Sequence, residues 1–298
     1  LKKTSTGNPY LKGLQTMLKP IKTPFDQTVL IGTRWGMMVG LKCDPYQTAS
    51  LIFYGEWSRD EVEQICACLK PGDIALDIGA NIGTVAVAMA KKVGRAGYVM
   101  AFEPQRAAFC CLAANTALTH CLVQLEPVRA AVSNCNGVIN VPIINPDTPF
   151  NVGGMRLDDP DYSPTVKDFQ MEEVSCVTID SMQLPRCAVM KIDVETMESK
   201  VLAGAKETLN RCRPVVFAET MVDMHNQKEV DNIAATFRFL HEAGYAIKKF
   251  VPPLYSPDNI RFCPDSIFPG VDLMICAWPK EKEFPEWFSK LEPALLAV

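Results

Sequence analysis

Residues Ala75 to Ala90 read ALDIGANIGTVAVAMA, and they constrain the fold more than any other part of the chain. A carboxylate, two glycines and an asparagine stand between two apolar runs, where a plain core strand or helix would exclude all of them. The first run, IALDI, has strand composition and follows Pro71-Gly72; the second, TVAVAMAKKV, can run as a helix that stops near Gly94. The segment is a strand, a tight glycine turn and a helix.

Beyond Ser58-Arg59 the chain alternates apolar runs with amphipathic ones, the signature of a parallel sheet covered on both faces. Strands are expected at IALDI, YVMAF, LVQLEPV, AVMKIDV and PVVFAE, with a terminal pair at YAIKKF and DLMICAW. Helices are expected over Thr84 to Lys92, Arg106 to Leu118, Glu198 to Arg211 and Val230 to Ala243. The expected fold is α/β, a doubly wound, mostly parallel seven-stranded sheet. Between Val132 and Leu184 the rhythm breaks into Asn-, Asp-, Pro- and Gly-rich stretches, which read as an insertion of loops and hairpins over about residues 133–175. Residues 1–57 read as an N-terminal extension and residues 58–298 as the main domain.

At 298 residues, 48% hydrophobic and 21% charged, the chain can bury one large core. A formal charge of -4 and the lack of a long Lys/Arg run argue against nucleic acid as partner. No apolar run approaches the roughly eighteen residues that span a bilayer, so no membrane association is expected. The twelve cysteines are scattered through strands and helices without metal-ligand spacing, and read as thiols of a reducing, cytoplasmic compartment. Self-association into a homo-oligomer is compatible with all of this.

In an open parallel sheet the ligand site lies at the carboxyl ends of the strands, where strand order reverses. There the helix after the turn offers free N–H groups and a positive dipole end. Twenty residues beyond Gly83 a second strand ends on Glu103, placed to accept both hydroxyls of a ribose. A dinucleotide would need glycine where Asn81 stands, and Asp77 would repel its pyrophosphate. A cofactor with an amino group and a carboxylate, S-adenosyl-L-methionine, suits Asp77 and the helix N–H groups better.

Several segments in order resemble the FkbM family of S-adenosylmethionine-dependent methyltransferases: YGEWSRDEVEQICACLKPGD, LDIGANIGT, AFEPQR with LAANTAL, NVGGMRL, VMKIDVETMESKVLAGAKETL and RPVVFAET. The resemblance covers about Tyr54 to Glu219. It implies a Rossmann-like class I methyltransferase domain over residues 58–298. It also implies that Asp77, Gly79, Asn81 and Gly83 hold the methionyl part of the cofactor and that Glu103 takes the ribose, with Ala80, Thr84 and Pro104 also in the cofactor site. Asp193, in IDVE, then faces both sulfonium and acceptor. Where the family carries glycine, this chain has Thr196.

Methyl transfer to a hydroxyl needs alignment behind the sulfonium methyl and a base within hydrogen-bond reach. The candidates are Asp193, Glu195 and Glu219 at strand ends and His225 in the loop that follows. Each also has a plainer reading: Asp193 or Glu195 as a helix cap, His225 as a solvated loop residue. The three carboxylates together suit a hard cation such as Mg²⁺. Lys191 either packs its stem on the sheet edge or pairs with a carboxylate, and NVGGMRL either brings Asn151 and Arg156 over the acceptor or is a surface turn. The expected activity is O-methylation of a small-molecule hydroxyl, on a sugar or secondary metabolite. The alternatives are a nicotinamide-dependent oxidoreductase, which the missing middle glycine disfavours, and a non-catalytic S-adenosylmethionine-binding module.

Overall fold

The computed structural model describes residues 21–22, 27–157, 170–220, 225–267 and 273–294. Most of the first 26 residues and residues 158–169 of the expected insertion lie outside these. The chain opens with β1 (Ile21–Lys22), β2 (Thr28–Thr33) and β3 (Gly36–Leu41), followed by α1 (Gln47–Tyr54) and α2 (Arg59–Ala67). The central unit then runs β4 (Ile74–Ile78), α3 (Thr84–Val93), β5 (Tyr98–Phe102), α4 (Arg106–Leu118) and β6 (Leu125–Val128). A small group, β7 (Ala131–Val132), β8 (Gly137–Pro142) and β9 (Met171–Val177), precedes β10 (Val189–Ile192). The remainder is α5 (Glu198–Ala203), α6 (Lys206–Cys212), β11 (Val215–Glu219), α7 (Gln227–Glu242), β12 (Tyr245–Phe250), β13 (Met274–Pro279) and α8 (Glu286–Lys290).

Seven strands form one sheet in the order β12-β13-β11-β10-β4-β5-β6. Neighbours from β11 to β6 pair parallel, and β13 is inserted antiparallel between β11 and β12. This is the doubly wound α/β fold expected from the alternation. Alternate residues feed two cores: Ala75, Val99, Val189 and Phe217 meet the helices of one face, while Leu76, Ile78, Met190 and Ile192 meet α5, α6 and α7 on the other. Burial on both faces is why these strands read as apolar runs rather than alternating ones.

The insertion is a three-stranded sheet, β8 antiparallel to β9 and β7 parallel to it. The β2–β3 hairpin packs on α4 through Asn115, whose fully buried amide accepts the Val39 N–H at 2.6 Å. The same amide donates to the carbonyls of Val39 at 3.0 Å and Ile82 at 2.8 Å. One side chain thus ties the N-terminal hairpin to the glycine turn.

Several boundaries differ from the expectation, among them the start of α7, at Gln227 rather than Val230. The strand read as LVQLEPV begins only at Leu125, because Leu122 and Val123 are 71% and 57% exposed in the preceding turn. The strand AVMKIDV ends at Ile192, leaving Asp193 and Val194 in a loop. The helix expected over Glu198 to Arg211 is broken between α5 and α6. Its second half has a separate N-terminal cap, the Asp180 carboxylate, which accepts the N–H groups of Glu207 at 2.9 Å and Thr208 at 2.8 Å. At the break, Gly204 lies against the backbone of residue 133: an added Cβ would sit 2.1 Å from the Ser133 carbonyl oxygen. Since backbone cannot yield as a side chain tip can, Gly204→Ala is expected to lower stability by about 2–3 kcal/mol, read as a lower urea midpoint at unchanged slope.

Candidate active site

The strand order reverses between β4 and β10, and at their carboxyl ends lies a crevice of about 280 Å³. Gly79 and Asn81 of the turn line it, with Glu103 and Pro104 after β5, Asp193, Val194, Glu195 and Met197 after β10, and Glu219 at the end of β11. Sequence reasoning did not anticipate Tyr46, Gln47 and Trp57 from the N-terminal region, nor Gln105; no pattern in those stretches marks them as site residues. The loop 151–157 closes another side, with Asn151 and Met155 on the crevice.

Beneath the floor lies a charge layer in an otherwise apolar face. Parallel register sets Ala101, Asp77, Lys191 and Phe217 side by side across four strands. Asp77 is 0% exposed, and neither of its oxygens is hydrogen-bonded. Its counter-charge is the Lys191 ammonium, 3.6 Å from Oδ1. That ammonium also donates to Asp193 Oδ2 at 2.9 Å and to the Gly79 carbonyl at 3.3 Å. Burial pushes the Asp77 carboxyl above the usual carboxylate range, and Lys191 opposes the shift. For Lys191 burial works against the charge, but Asp193, Asp77 and Glu61 outweigh it and hold the ammonium above the ordinary lysine range. Of the two readings of Lys191, the structure shows carboxylate pairing.

The turn explains its own glycines. Gly79 has φ +82°, and a Cβ there would stand 1.7 Å from the Asp193 carbonyl oxygen, so the bare carbon is required by the neighbouring strand end. Gly83, at φ +90°, would meet Leu112 and does not line the crevice. Asn81 adopts φ 49° and lines the crevice, and its Oδ1 is buried without a hydrogen-bond partner. Its backbone N–H donates to Glu103 Oε2 at 2.8 Å, and the Gln105 N–H donates to Oε1 at 2.8 Å. Burial pushes the Glu103 carboxyl up to about 7 despite those two bonds.

At the other end, oxygens of Asp193, Glu195 and Glu219 all lie within 4.8 Å of one another. Asp193 and Glu195 do not share a strand face. They stand in a loop where Glu195 (φ 51°) and Thr196 (φ 75°) are successive left-handed residues, each costing on the order of 1–3 kcal/mol. Glu198 is buried; its Oε1 accepts the Val194 N–H at 3.2 Å and its Oε2 the Asn232 amide at 2.7 Å.

Other expected site residues lie elsewhere. Asp77, Ala80 and Thr84 are buried and outside the lining, with the Thr84 hydroxyl directed to Gln47 at 3.3 Å. His225 is exposed and outside the lining, because the chain from β11 delivers it to the start of α7. Arg156 is outside the lining and forms a buried ion pair with Glu229 of α7. None of the twelve cysteines is in a disulfide, and no helix among the described residues is long and apolar enough to cross a membrane.

Residues 77–247, more than half of the chain, match the methyltransferase FkbM domain, and the chain belongs to that family of methyltransferases. It is 29% identical over 158 residues to the hexuronic acid methyltransferase AglP of Haloferax volcanii, across 53% of this chain and 60% of that protein. The chain thus spans less than two thirds of that relative's length. Among solved structures it resembles the methyltransferase FkbM of Methylobacillus flagellatus (15% identity, TM-score 0.42, 79% of this chain and 55% of that one). It also resembles an O-methyltransferase of Bacillus cereus in complex with SAH (13% identity, TM-score 0.41, 75% and 90%).

The charge layer makes a test of its own. Lys191→Met leaves Asp77 and Asp193 without their counter-charge and is expected to cost about 3–5 kcal/mol in chemical denaturation. Adding Asp77→Asn to that variant should recover a large part of the loss, since the amide carries no charge to strand.

Proposed function

We propose that the protein transfers a methyl group from S-adenosyl-L-methionine to a hydroxyl of a small, sugar-like molecule. The observation that carries this reading is the single crevice with a buried, crevice-facing Glu103 at β5 and a carboxylate cluster at β10 and β11, two and three strands away. The hexuronic acid named for the relative supports a sugar-type acceptor.

The residues present fit the cofactor. The Asn81 amide oxygen is an unmet acceptor on the crevice wall, suited to an ammonium or hydroxyl donor. Glu103 retains acceptor capacity for two ribose hydroxyls beyond its two backbone bonds. Gly79 and Asn81 would carry the methionyl part, with Asp193 beside the reacting end. When bound, the cofactor supplies an electrophilic methyl on a sulfonium.

The chain's own contribution is alignment and proton removal. Asp193 is held in place by Lys191. Glu195 and Glu219, on separate strand ends, orient the acceptor and take its proton, one of them within hydrogen-bond reach of the attacking oxygen. Tyr46, Trp57 and Met155 supply apolar wall that excludes water around the reaction.

The three carboxylate oxygens also make a donor set for a hard cation such as Mg²⁺, with acceptor hydroxyls and water completing the shell. If Mg²⁺ assists, EDTA should abolish turnover and added Mg²⁺ restore it; full turnover in EDTA discards the metal and leaves the carboxylates as base.

Two measurements test the cofactor site. By calorimetry, Glu103→Ala should weaken S-adenosylmethionine binding by about 10–100-fold, the scale of hydrogen bonds to a charged group; unchanged affinity removes Glu103 from the site. The second is the pH dependence. With the Glu103 carboxyl raised to about 7, the folded apoprotein favours the protonated form. Its contribution to stability is therefore full below the ordinary carboxylate value of 4.5 and lost as pH rises through 7. The ribose site needs the ionised form, so affinity should fall with pH below 7, up to roughly tenfold per unit, and Glu103→Gln should flatten that dependence.

A further inference from the structure

The loop between β10 and α5 is anchored at both ends and twisted in the middle. The Asp193 N–H donates to the Ile78 carbonyl at 2.9 Å, which fixes the start of the loop to β4. Glu195 and Thr196 then turn left-handed in succession, and for a β-branched threonine this is a conformation the chain does not adopt unaided. Such backbone persists only where its surroundings over-determine it.

One part of that over-determination comes from α7, a helix that contributes no residue to the crevice lining. Asn232 spends its whole side-chain amide on the first two residues of α5, where this loop ends. Its Oδ1 accepts the Ser199 N–H at 3.1 Å and the Ser199 hydroxyl at 2.6 Å, while its Nδ2 donates to Glu198 Oε2 at 2.7 Å. Glu198 passes the constraint back by accepting the Val194 N–H with its other oxygen. The left-handed pair is therefore closed between two held residues, Val194 and Glu198.

We propose that Asn232, acting through Glu198, is a positioning residue for Glu195: it holds the left-handed turn that keeps the Glu195 carboxylate within reach of Asp193 and Glu219. The functional part rests on the reading of this crevice as the methyl-transfer site. Loss of the brace lets Thr196 relax toward right-handed or extended backbone, and Glu195 leaves the cluster. Glycine at position 196 adopts the same turn without strain, so the brace matters less there.

The test compares Asn232→Ala in the natural chain and in a Thr196→Gly background, using amide hydrogen exchange at Val194 and Ser199 and calorimetry with S-adenosylmethionine. In the natural chain Asn232→Ala should speed exchange at both amides by about tenfold or more, the equivalent of about 1.4 kcal/mol. In the Thr196→Gly background the acceleration at Val194 should fall below about threefold. Cofactor affinity should change less than about twofold in either background, since Glu103 and Asn81 are untouched. Equal acceleration in both backgrounds, or acceleration spread evenly over the whole sheet, overturns the proposal and marks Asn232 as a general stabiliser. If Asn232→Ala does not fold, Ser199→Ala, which removes only the 2.6 Å hydroxyl bond, makes the same comparison. Absence of cofactor binding in the natural chain would sink the methyl-transfer reading, while the exchange comparison would still decide the brace.

Discussion

The site depends on one buried cation. Lys191 stands in an apolar layer and holds three groups from different parts of the chain: Asp77 within β4, the Gly79 carbonyl in the glycine turn, and Asp193 after β10. A buried ammonium is tolerated only where carboxylates surround it, and a fully buried Asp77 only where a cation faces it. Each makes the other permissible, and their meeting point joins the two strands between which the sheet order reverses. The crevice opens above that meeting point, where the strand order reverses and the helices diverge to opposite faces.

This alters the meaning of the glycine turn. Its aspartate and its first glycine look, in sequence, like ligand contacts, but both are turned toward the neighbouring strand end: Asp77 toward Lys191, and the α-carbon of Gly79 toward the Asp193 carbonyl. Asn81 and Glu103, which line the crevice beside the Gly79 backbone, are coupled by a backbone N–H to carboxylate bond. The pattern D-x-G-x-N therefore encodes a strand-to-strand joint first, and a binding surface as the consequence of that joint.

Legibility in the sequence followed locality. IALDI, YVMAF and YAIKKF stop where expected because apolar runs and glycine punctuation set their limits, and Arg106–Leu118 likewise carries its own ends. Helix 198–211 was misread because the break at Gly204 is caused by residue 133 and the second half is capped by Asp180, both distant in sequence. Glu103, Asp193, Glu195 and Glu219 were legible as acids ending apolar strands, and the structure brings all four to one crevice. Asp77 was legible as unusual but not as buried under the floor. His225 and Arg156 were placed by nearness in sequence to strand ends and loops, whereas their positions are set by α7, which draws one outward and pairs the other with Glu229.

The loop after β10 is where local pattern and global structure disagree most, and the disagreement lies in the backbone. Thr196 occupies a left-handed position that suits glycine, and Glu198, just beyond it, is tied to Asn232, 36 residues downstream of Thr196. A sequence motif records which residues are present but not which dihedral they are forced into. The same short stretch, with the same acids, can aim them differently depending on whether a distant helix supplies the grip. In this chain Glu229 and Asn232, one turn apart on α7, hold the loop carrying Arg156 and the loop carrying Glu195 respectively. The loop after β10 is thus tied to how α7 docks, while the glycine turn is tied to the β4–β5–β10 joint, so the two parts of the crevice wall can diverge independently.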